Sequence, residues 1–128
     1  MDDLVLTTGT FNIVHAGHIE LFDFCSRFGK VCVGVNSDKY LLHKYGDKAI
    51  SLEYRLKVLK SLKQIHRIHV FDEDTPVELI SKIKPNIYVK GPDYLNVDIP
   101  EFKILKELNI KFLISNSEKI LSTSDIIW

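Results

Sequence analysis

The chain has 128 residues, of which 45% are hydrophobic and 27% charged, a composition typical of a globular domain with one core. Its 17 basic and 17 acidic residues give a formal net charge of zero, which argues against a nucleic-acid or membrane-surface partner. The N-terminus, Met1 to Asp3, is acidic and unlike a signal peptide, and no apolar run reaches the length of a membrane span. Because Cys25 and Cys32 lie in apolar segments, we expect buried free thiols, a cytoplasmic location and one domain over residues 1–128.

Short apolar runs alternate with longer amphipathic runs along the chain. The apolar runs predict strands over residues 4–6, 31–35, 68–71, 87–89 and 111–114. The amphipathic runs predict helices over residues 17–28, from 51 onwards, over 77–84 and 100–108, and a short last helix from 122. The polar stretch 39–50 is expected to be looped in part.

Alternating strands and helices imply crossover connections and a parallel sheet. We therefore expect an α/β fold: a Rossmann-like, doubly wound parallel sheet of about five strands in a single domain. Ligands of such sheets bind beyond the carboxyl ends of the strands, where the strand order reverses. The polar clusters of this chain follow predicted strands or open predicted helices, so the chemistry is expected at one edge of the sheet.

Two histidines, His15 and His18, stand three residues apart where the first helix is predicted to begin. The first turn of a helix has unpaired N–H groups that bind phosphate, and Gly17 allows a ligand close to the backbone. Two imidazoles at that position can donate hydrogen bonds to phosphoryl oxygens. A zinc site would need further Cys or carboxylate ligands, which the segment does not supply, and helix capping would explain one histidine of the pair. The segment indicates phosphate chemistry.

Other candidate phosphate ligands follow along the chain. Thr10 lies in the turn after Gly9, where it either meets a phosphate or stabilises the turn. The basic candidates are Lys44, Lys48 and Arg55, although each lysine, taken alone, is more typical of a solvated surface than of a binding site. The segment Ser122-Thr123-Ser124 offers hydroxyl and N–H groups at a helix start, and an ordinary helix cap is the alternative.

The segment from Gly9 to His18, GTFNIVHAGH, resembles the signature of the HxGH nucleotidyltransferase superfamily in its cytidylyltransferase-like branch. Members transfer a nucleoside monophosphate from a triphosphate to a phosphate-bearing acceptor and release pyrophosphate. The branch usually carries Asp where this chain has Asn12. The Arg that relatives often carry shortly before their Ser-Thr motif is absent here, and only Lys119 stands near that position.

Further segments extend the resemblance over residues 4–127. Glu53-Tyr54-Arg55 is similar to the family's Glu-x-Arg, whose Arg contacts substrate phosphate, and Ser122-Thr123-Ser124 to its triphosphate-binding motif. The segments 73–76, EDTP, and 88–94, YVKGPDY, resemble those of sugar-phosphate adenylyltransferases that make ADP-heptose precursors, with Pro92 in place of a glycine.

The resemblance implies direct attack by the acceptor's phosphate on the α-phosphorus of the triphosphate, which is ATP in the adenylyl branch, with Mg²⁺ bound mainly through the triphosphate and no metal ligand in the chain. The implied catalytic residues are His15, His18, Lys44 and Arg55. The implied nucleotide-binding residues are Thr8, Gly9, Thr10, Phe11, Gly17, Lys90, Asp93, Ser122, Thr123 and Ser124. The implied acceptor-binding residues are Asn36, Asp38, Lys48 and Arg55, and a homodimer is expected.

Two alternatives remain open from the sequence. The first is a CTP-dependent cytidylyltransferase that acts on glycerol 3-phosphate or another polyol phosphate, because base recognition by backbone groups leaves little trace in sequence. The second is a nucleotide-binding module without activity, an interpretation suggested by Asn12 and by the missing Arg.

Overall fold

The computed structural model describes residues 3–115, so the predicted last helix, Lys119 and the Ser122-Thr123-Ser124 segment lie outside the described residues. The strands are β1 (Leu4–Gly9), β2 (Lys30–Asn36), β3 (Ile65–Phe71), β4 (Ile87–Lys90) and β5 (Lys111–Ile114). The helices are α1 (Ala16–Ser26), α2 (Asp38–Tyr45), α3 (Leu52–Lys60), α4 (Val77–Ile83) and α5 (Phe102–Glu107). Single 3₁₀ turns occur at Gly46–Lys48 and Pro92–Tyr94.

The stretch expected to be partly looped is largely helical, since it contains α2 and the first 3₁₀ turn. Only Leu41 of α2 is buried, so a single apolar residue anchors this mostly polar helix to the core. Strand β3 begins at Ile65, three residues before the prediction, because its first half carries the polar side chains of His66 and Arg67. A criterion that seeks apolar runs overlooks such a strand at the edge of a sheet.

All strand pairs are parallel and the order is β3-β2-β1-β4-β5. Strand β1 pairs with β2 on one side and with β4 on the other, so the strand order reverses next to β1. The predicted Rossmann-like sheet of five strands is confirmed. Its ligand-binding position is the carboxyl end of β1.

Side chains of the central strands alternate between two cores. Val5 and its neighbours on one face pack with Phe22 of α1 and Leu59 of α3. Leu6 and its neighbours on the other face pack with Ile80 of α4 and with α5. Helices therefore cover both faces, as a doubly wound sheet requires. Among residues 3–115 no helix has the length and apolarity needed to cross a membrane.

We predict that Gly34→Ala lowers the free energy of unfolding by about 1–3 kcal/mol, the usual cost of overpacking. A Cβ at this position in β2 would lie 2.6 Å from Cδ2 of Leu79 and 2.9 Å from Cγ2 of Thr8. Urea denaturation measures the change. Gly91→Ala is the matched control because its Cβ would meet nothing within 4 Å. Equal denaturation midpoints for the two variants would contradict this account.

Candidate active site at the carboxyl edge of the sheet

A cavity of about 280 Å³ opens at the carboxyl ends of β1, β2 and β4. This is the edge of the sheet where the polar clusters of the sequence were predicted to meet. Six of the predicted site residues line the cavity: Thr8, Gly9, Thr10, Asn36, Lys44 and Lys90. The fold thus gathers residues from both the nucleotide and the acceptor groups around one cavity.

The two histidines form the N-terminal cap of α1. Nδ1 of His15 accepts a hydrogen bond from the backbone N–H of Gly17 at 3.1 Å. The backbone N–H of His15 donates in turn to Nδ1 of His18 at 3.2 Å, and the two ring centroids lie 4.1 Å apart. Because each Nδ1 accepts a hydrogen bond, each ring carries its proton on Nε2. The backbone therefore prepares two Nε2–H donors side by side.

Burial of the His18 ring, and next the neighbouring His15, lower the pKa of His18 from 6.5 to about 4. His18 is consequently a neutral hydrogen-bond donor at physiological pH. The ring of Phe11 lies edge-on to it at a centroid distance of 5.3 Å. Phe11 itself has a positive φ of 47°, and its buried ring lies over Gly9, where a Cβ would come within 3.1 Å of the ring. The turn is thus shaped to hold Phe11 against the imidazole.

Arg55, predicted to contact the acceptor's phosphate, lies in the interior and is 1% exposed. Its Nε donates to the carbonyl of Ile50, and its Nη1 donates to the carbonyls of Thr10 and Asn36. Its Nη2 forms an ion pair with Asp38 at 3.1 Å. These contacts show that Arg55 does not belong to the solvated surface and that its described partners are groups of the protein. They support a positioning role in place of a direct phosphate contact.

Asp38, predicted to bind the acceptor, belongs to the same network. Its Oδ1 accepts the backbone N–H of Leu52 at 2.6 Å in addition to the guanidinium of Arg55. One carboxylate therefore fixes the first turn of α3 as well as the cation. Its described contacts, like those of Arg55, favour a role in positioning the loops around the cavity.

Asn12, where the family usually carries Asp, connects the turn after β1 to the segment before α3. Its Nδ2 donates to the carbonyl of Lys48 at 3.1 Å, and its Oδ1 accepts from the N–H of Ile50 at 2.7 Å. An aspartate in its ionised form accepts hydrogen bonds but donates none. Asn12 can therefore make both hydrogen bonds, whereas an ionised aspartate could only accept the one from Ile50.

A series of hydrogen bonds runs from Lys90 through the cavity wall. Nζ of Lys90 donates to Oγ1 of Thr8 at 3.1 Å, and Oγ1 lies 2.8 Å from the hydroxyl of Tyr88. That hydroxyl donates to Oε2 of Glu101 at 2.8 Å. Burial lowers the pKa of Lys90 to about 8, while the negative charge of Glu101 acts in the opposite direction. Lys90 remains a cation at neutral pH, 4.7 Å from the ring centroid of Tyr94.

Several predicted residues lie outside the described cavity wall. Gly17 belongs to the histidine cap, and Lys48 contributes its backbone carbonyl to Asn12. Asp93 is exposed in the 3₁₀ turn after β4. Ser122, Thr123 and Ser124 lie beyond the described residues, so their predicted contact with the triphosphate stays a prediction.

The residues missed from the sequence include Glu101, which lines the cavity, and Tyr88, which is hydrogen-bonded to Glu101. The sequence contains one feature at each position that could have indicated a site residue. Tyr88 is the one residue with a hydroxyl inside the short apolar run of β4, and Glu101 is an acid directly before the apolar residues of α5. Neither signal reveals that the two side chains meet.

Residues 3–115 contain no group of three or more His, Cys, Asp or Glu side chains arranged to hold a metal ion. Mg²⁺ is commonly bound through substrate phosphates and water with one or two carboxylates. Asp74 lines the cavity and offers one such carboxylate. The described side chains are thus compatible with an ion carried mainly by a triphosphate.

We predict that Arg55→Lys lowers the free energy of unfolding by about 2–4 kcal/mol, because an ammonium group replaces only part of a buried, charge-assisted network. Chemical denaturation measures the change. Arg27→Lys, at the exposed C-terminal end of α1, is the matched control and is expected to be neutral. If Arg55→Lys and Arg27→Lys unfolded at the same denaturant concentration, the positioning role of Arg55 would be refuted.

Comparison with protein families and curated proteins gives related sequences. The family model described as cytidylyltransferase-like matches residues 6–127. The bifunctional protein HldE of Helicobacter pylori (strain Shi470) is 39% identical over 127 residues, which cover 97% of this chain and 27% of that protein. The bifunctional protein HldE of Streptomyces coelicolor is 39% identical over 107 residues, covering 81% and 23%. The chain thus spans about a quarter of the length of these relatives.

Comparison with solved structures supports the fold. The lipopolysaccharide core biosynthesis protein from Thermoplasma volcanium aligns with a TM-score of 0.74 and 21% identity, covering 91% of this chain and 98% of that one. Pantothenate synthetase from Thermus thermophilus aligns with a TM-score of 0.58 and 12% identity, covering 88% and 54%.

The family model covers nearly the whole chain, and the two HldE proteins share more than a third of the aligned residues with it. The turn with the two histidines lies within the matched range. The chain therefore belongs to the cytidylyltransferase-like family of nucleotidyltransferases.

Proposed function

We propose that this domain transfers AMP from ATP to the phosphate of a sugar phosphate and releases pyrophosphate, forming a nucleotide-activated sugar. The observation that carries the proposal is the pair of Nε2–H donors, fixed by the backbone at the start of α1 in the turn that follows Gly9 and Thr10 of the cavity wall. Helix starts and neutral donors are suited to phosphoryl oxygens that gain charge during transfer.

The transfer itself needs little chemistry from the protein. An oxygen of the acceptor's phosphate forms a bond to the α-phosphorus, while the bond from the α-phosphorus to the bridging oxygen breaks and pyrophosphate leaves with the electron pair. Because the attacking phosphate oxygen is already anionic near neutral pH, no general base has to remove a proton. Positioning and charge stabilisation account for catalysis of this type.

In this proposal the triphosphate lies at the start of α1, where His15 and His18 donate to the α-phosphoryl group. The acceptor occupies the cavity, whose wall includes the cations Lys44 and Lys90. Mg²⁺, bound through the triphosphate, would neutralise phosphate charge. Arg55 and Asn12 hold the loops between these two positions.

The choice of substrates rests on resemblance. The EDTP and YVKGPDY segments are similar to those of sugar-phosphate adenylyltransferases, and the HldE relatives are called bifunctional, so this chain would carry one of their activities. A homodimer is proposed on the same ground. Cytidylyl transfer to a polyol phosphate is the second candidate, because the matched family model bears the cytidylyltransferase name.

We predict that pyrophosphate release is faster with ATP than with CTP when each is combined with sugar 1-phosphates in the presence of Mg²⁺. Glycerol 3-phosphate is included as the acceptor of the second candidate. A preference for CTP and glycerol 3-phosphate would select the cytidylyltransferase, and no release with any pair would leave a nucleotide-binding module.

We predict that His18→Ala lowers kcat by about 10²–10³-fold, the usual cost of losing one donor to a developing negative charge. His18 accepts its backbone hydrogen bond at the edge of the helix cap, so the fold should survive, which thermal melting checks. His66→Ala, on the exposed part of β3, is the control and should retain the kcat of the unchanged protein. Turnover of His18→Ala equal to that of the control would remove the central assignment.

A further inference from the structure

A buried carboxylate forms part of the cavity wall. Glu101 is 3% exposed and lines the cavity at the start of α5. Its Oε2 accepts the Tyr88 hydroxyl at 2.8 Å, and among residues 3–115 its Oε1 has no hydrogen-bond partner. Burying a carboxylate is costly unless its oxygens receive hydrogen bonds. Oε1 of Glu101 can therefore accept a hydrogen bond from a ligand in the cavity.

The hydrogen bonds behind Glu101 have one direction. Tyr88 has a single hydroxyl proton and donates it to Glu101, so Thr8 must donate to the Tyr88 oxygen. Lys90 donates to Thr8 in turn. Every proton of this series therefore points toward the carboxylate. The arrangement directs the Tyr88 proton to Oε2 of Glu101 and fixes the position of the carboxylate.

A carboxylate fixed in this way favours ligands that present a hydrogen-bond donor to it. It accepts hydrogen bonds and donates none, so the facing group of the ligand has to be a donor such as a hydroxyl. A phosphate in contact with it would suffer like-charge repulsion. The Glu101 part of the cavity therefore suits the hydroxyl-bearing part of a sugar phosphate and disfavours its phosphate.

We propose that Glu101 is a specificity residue for the acceptor, accepting a hydrogen bond from a sugar hydroxyl, with Tyr88 as its positioning residue. This inference rests on the proposed function, in which the cavity holds the acceptor. The ribose of the nucleotide is the competing donor of hydroxyls. Thr8, Gly9, Thr10 and Lys90, which were predicted to bind the nucleotide, also line the cavity, so the test has to separate the two donors. The acceptor is favoured because Asn36, predicted to bind it, lines the cavity, whereas His15 and His18, the candidate ligands of the α-phosphoryl group, do not.

The test measures binding by calorimetry without turnover. The probes are heptose 1-phosphate and its monodeoxy analogues, each lacking one hydroxyl. In the unchanged protein, we expect removal of one particular hydroxyl to weaken binding about tenfold or more, as for a hydrogen bond to a charged group. Glu101→Gln should weaken binding of the parent compound to a similar extent, and it should bind that deoxy analogue almost as well as the parent.

The non-additivity of the two changes identifies the contact, since a merely structural role of Glu101 would weaken all analogues alike. Glu107→Gln, an exposed position on the same helix, is the matched control and should leave the pattern unchanged. Tyr88→Phe keeps the carboxylate but removes its donor, and should reduce the penalty for the missing hydroxyl. Melting temperatures of all variants verify that they fold.

Several results would overturn the inference. Equal affinities of Glu101→Gln and Glu107→Gln for heptose 1-phosphate would do so, as would the absence of any heptose 1-phosphate binding to the unchanged protein. A selective loss of ATP affinity in Glu101→Gln would assign the carboxylate to the ribose. Pyrophosphate release without non-additivity between Glu101→Gln and the missing hydroxyl would support the proposed function and overturn the inference about Glu101. Non-additivity without pyrophosphate release would support the contact between Glu101 and the hydroxyl and would contradict the proposed function.

Discussion

The guanidinium of Arg55 is the group on which the carboxyl edge of the sheet depends. It lies in the interior and joins the carbonyls of Thr10, Asn36 and Ile50, which belong to three separate segments, while Asp38 balances its charge. Removing one partner of such a buried network leaves an uncompensated charge, and this penalty holds the segments in one arrangement. The turn with the histidines and the cavity wall are consequently fixed relative to each other before any substrate binds.

The carboxyl end of β1 separates two environments of opposite hydrogen-bonding character. The start of α1 offers the Nε2–H donors of His15 and His18, which suit phosphoryl oxygens. The cavity offers the acceptor Glu101 together with the cation Lys90, which suit a molecule that carries both hydroxyl groups and a phosphate. The proposed reaction between two phosphate compounds would use this division, because each polyanion would then have its own position and orientation.

The sequence allowed the alternation of strands and helices, the parallel sheet and the histidine turn to be predicted, because each is encoded by consecutive residues. The position of Arg55 could not be read in the same way, since a helix pattern does not say which charged residue turns inward. The contact between Tyr88 and Glu101 depends on how β4 meets the start of α5, and no local pattern records it. Helix α2 was underestimated because the segment is mostly polar and buries one residue, Leu41.

The N-terminal cap of α1 determines when the two Nε2–H donors come together. His15 occupies a position that Ser, Thr, Asp or Asn usually fill, and its Nδ1 is occupied by the backbone N–H of Gly17. Only when the helix has formed are the ring tautomers chosen and the two outer N–H groups brought together. An ordinary capping residue at position 15 would preserve the helix and abolish the pair of donors. For this turn, formation of the helix and formation of the donor pair are one event.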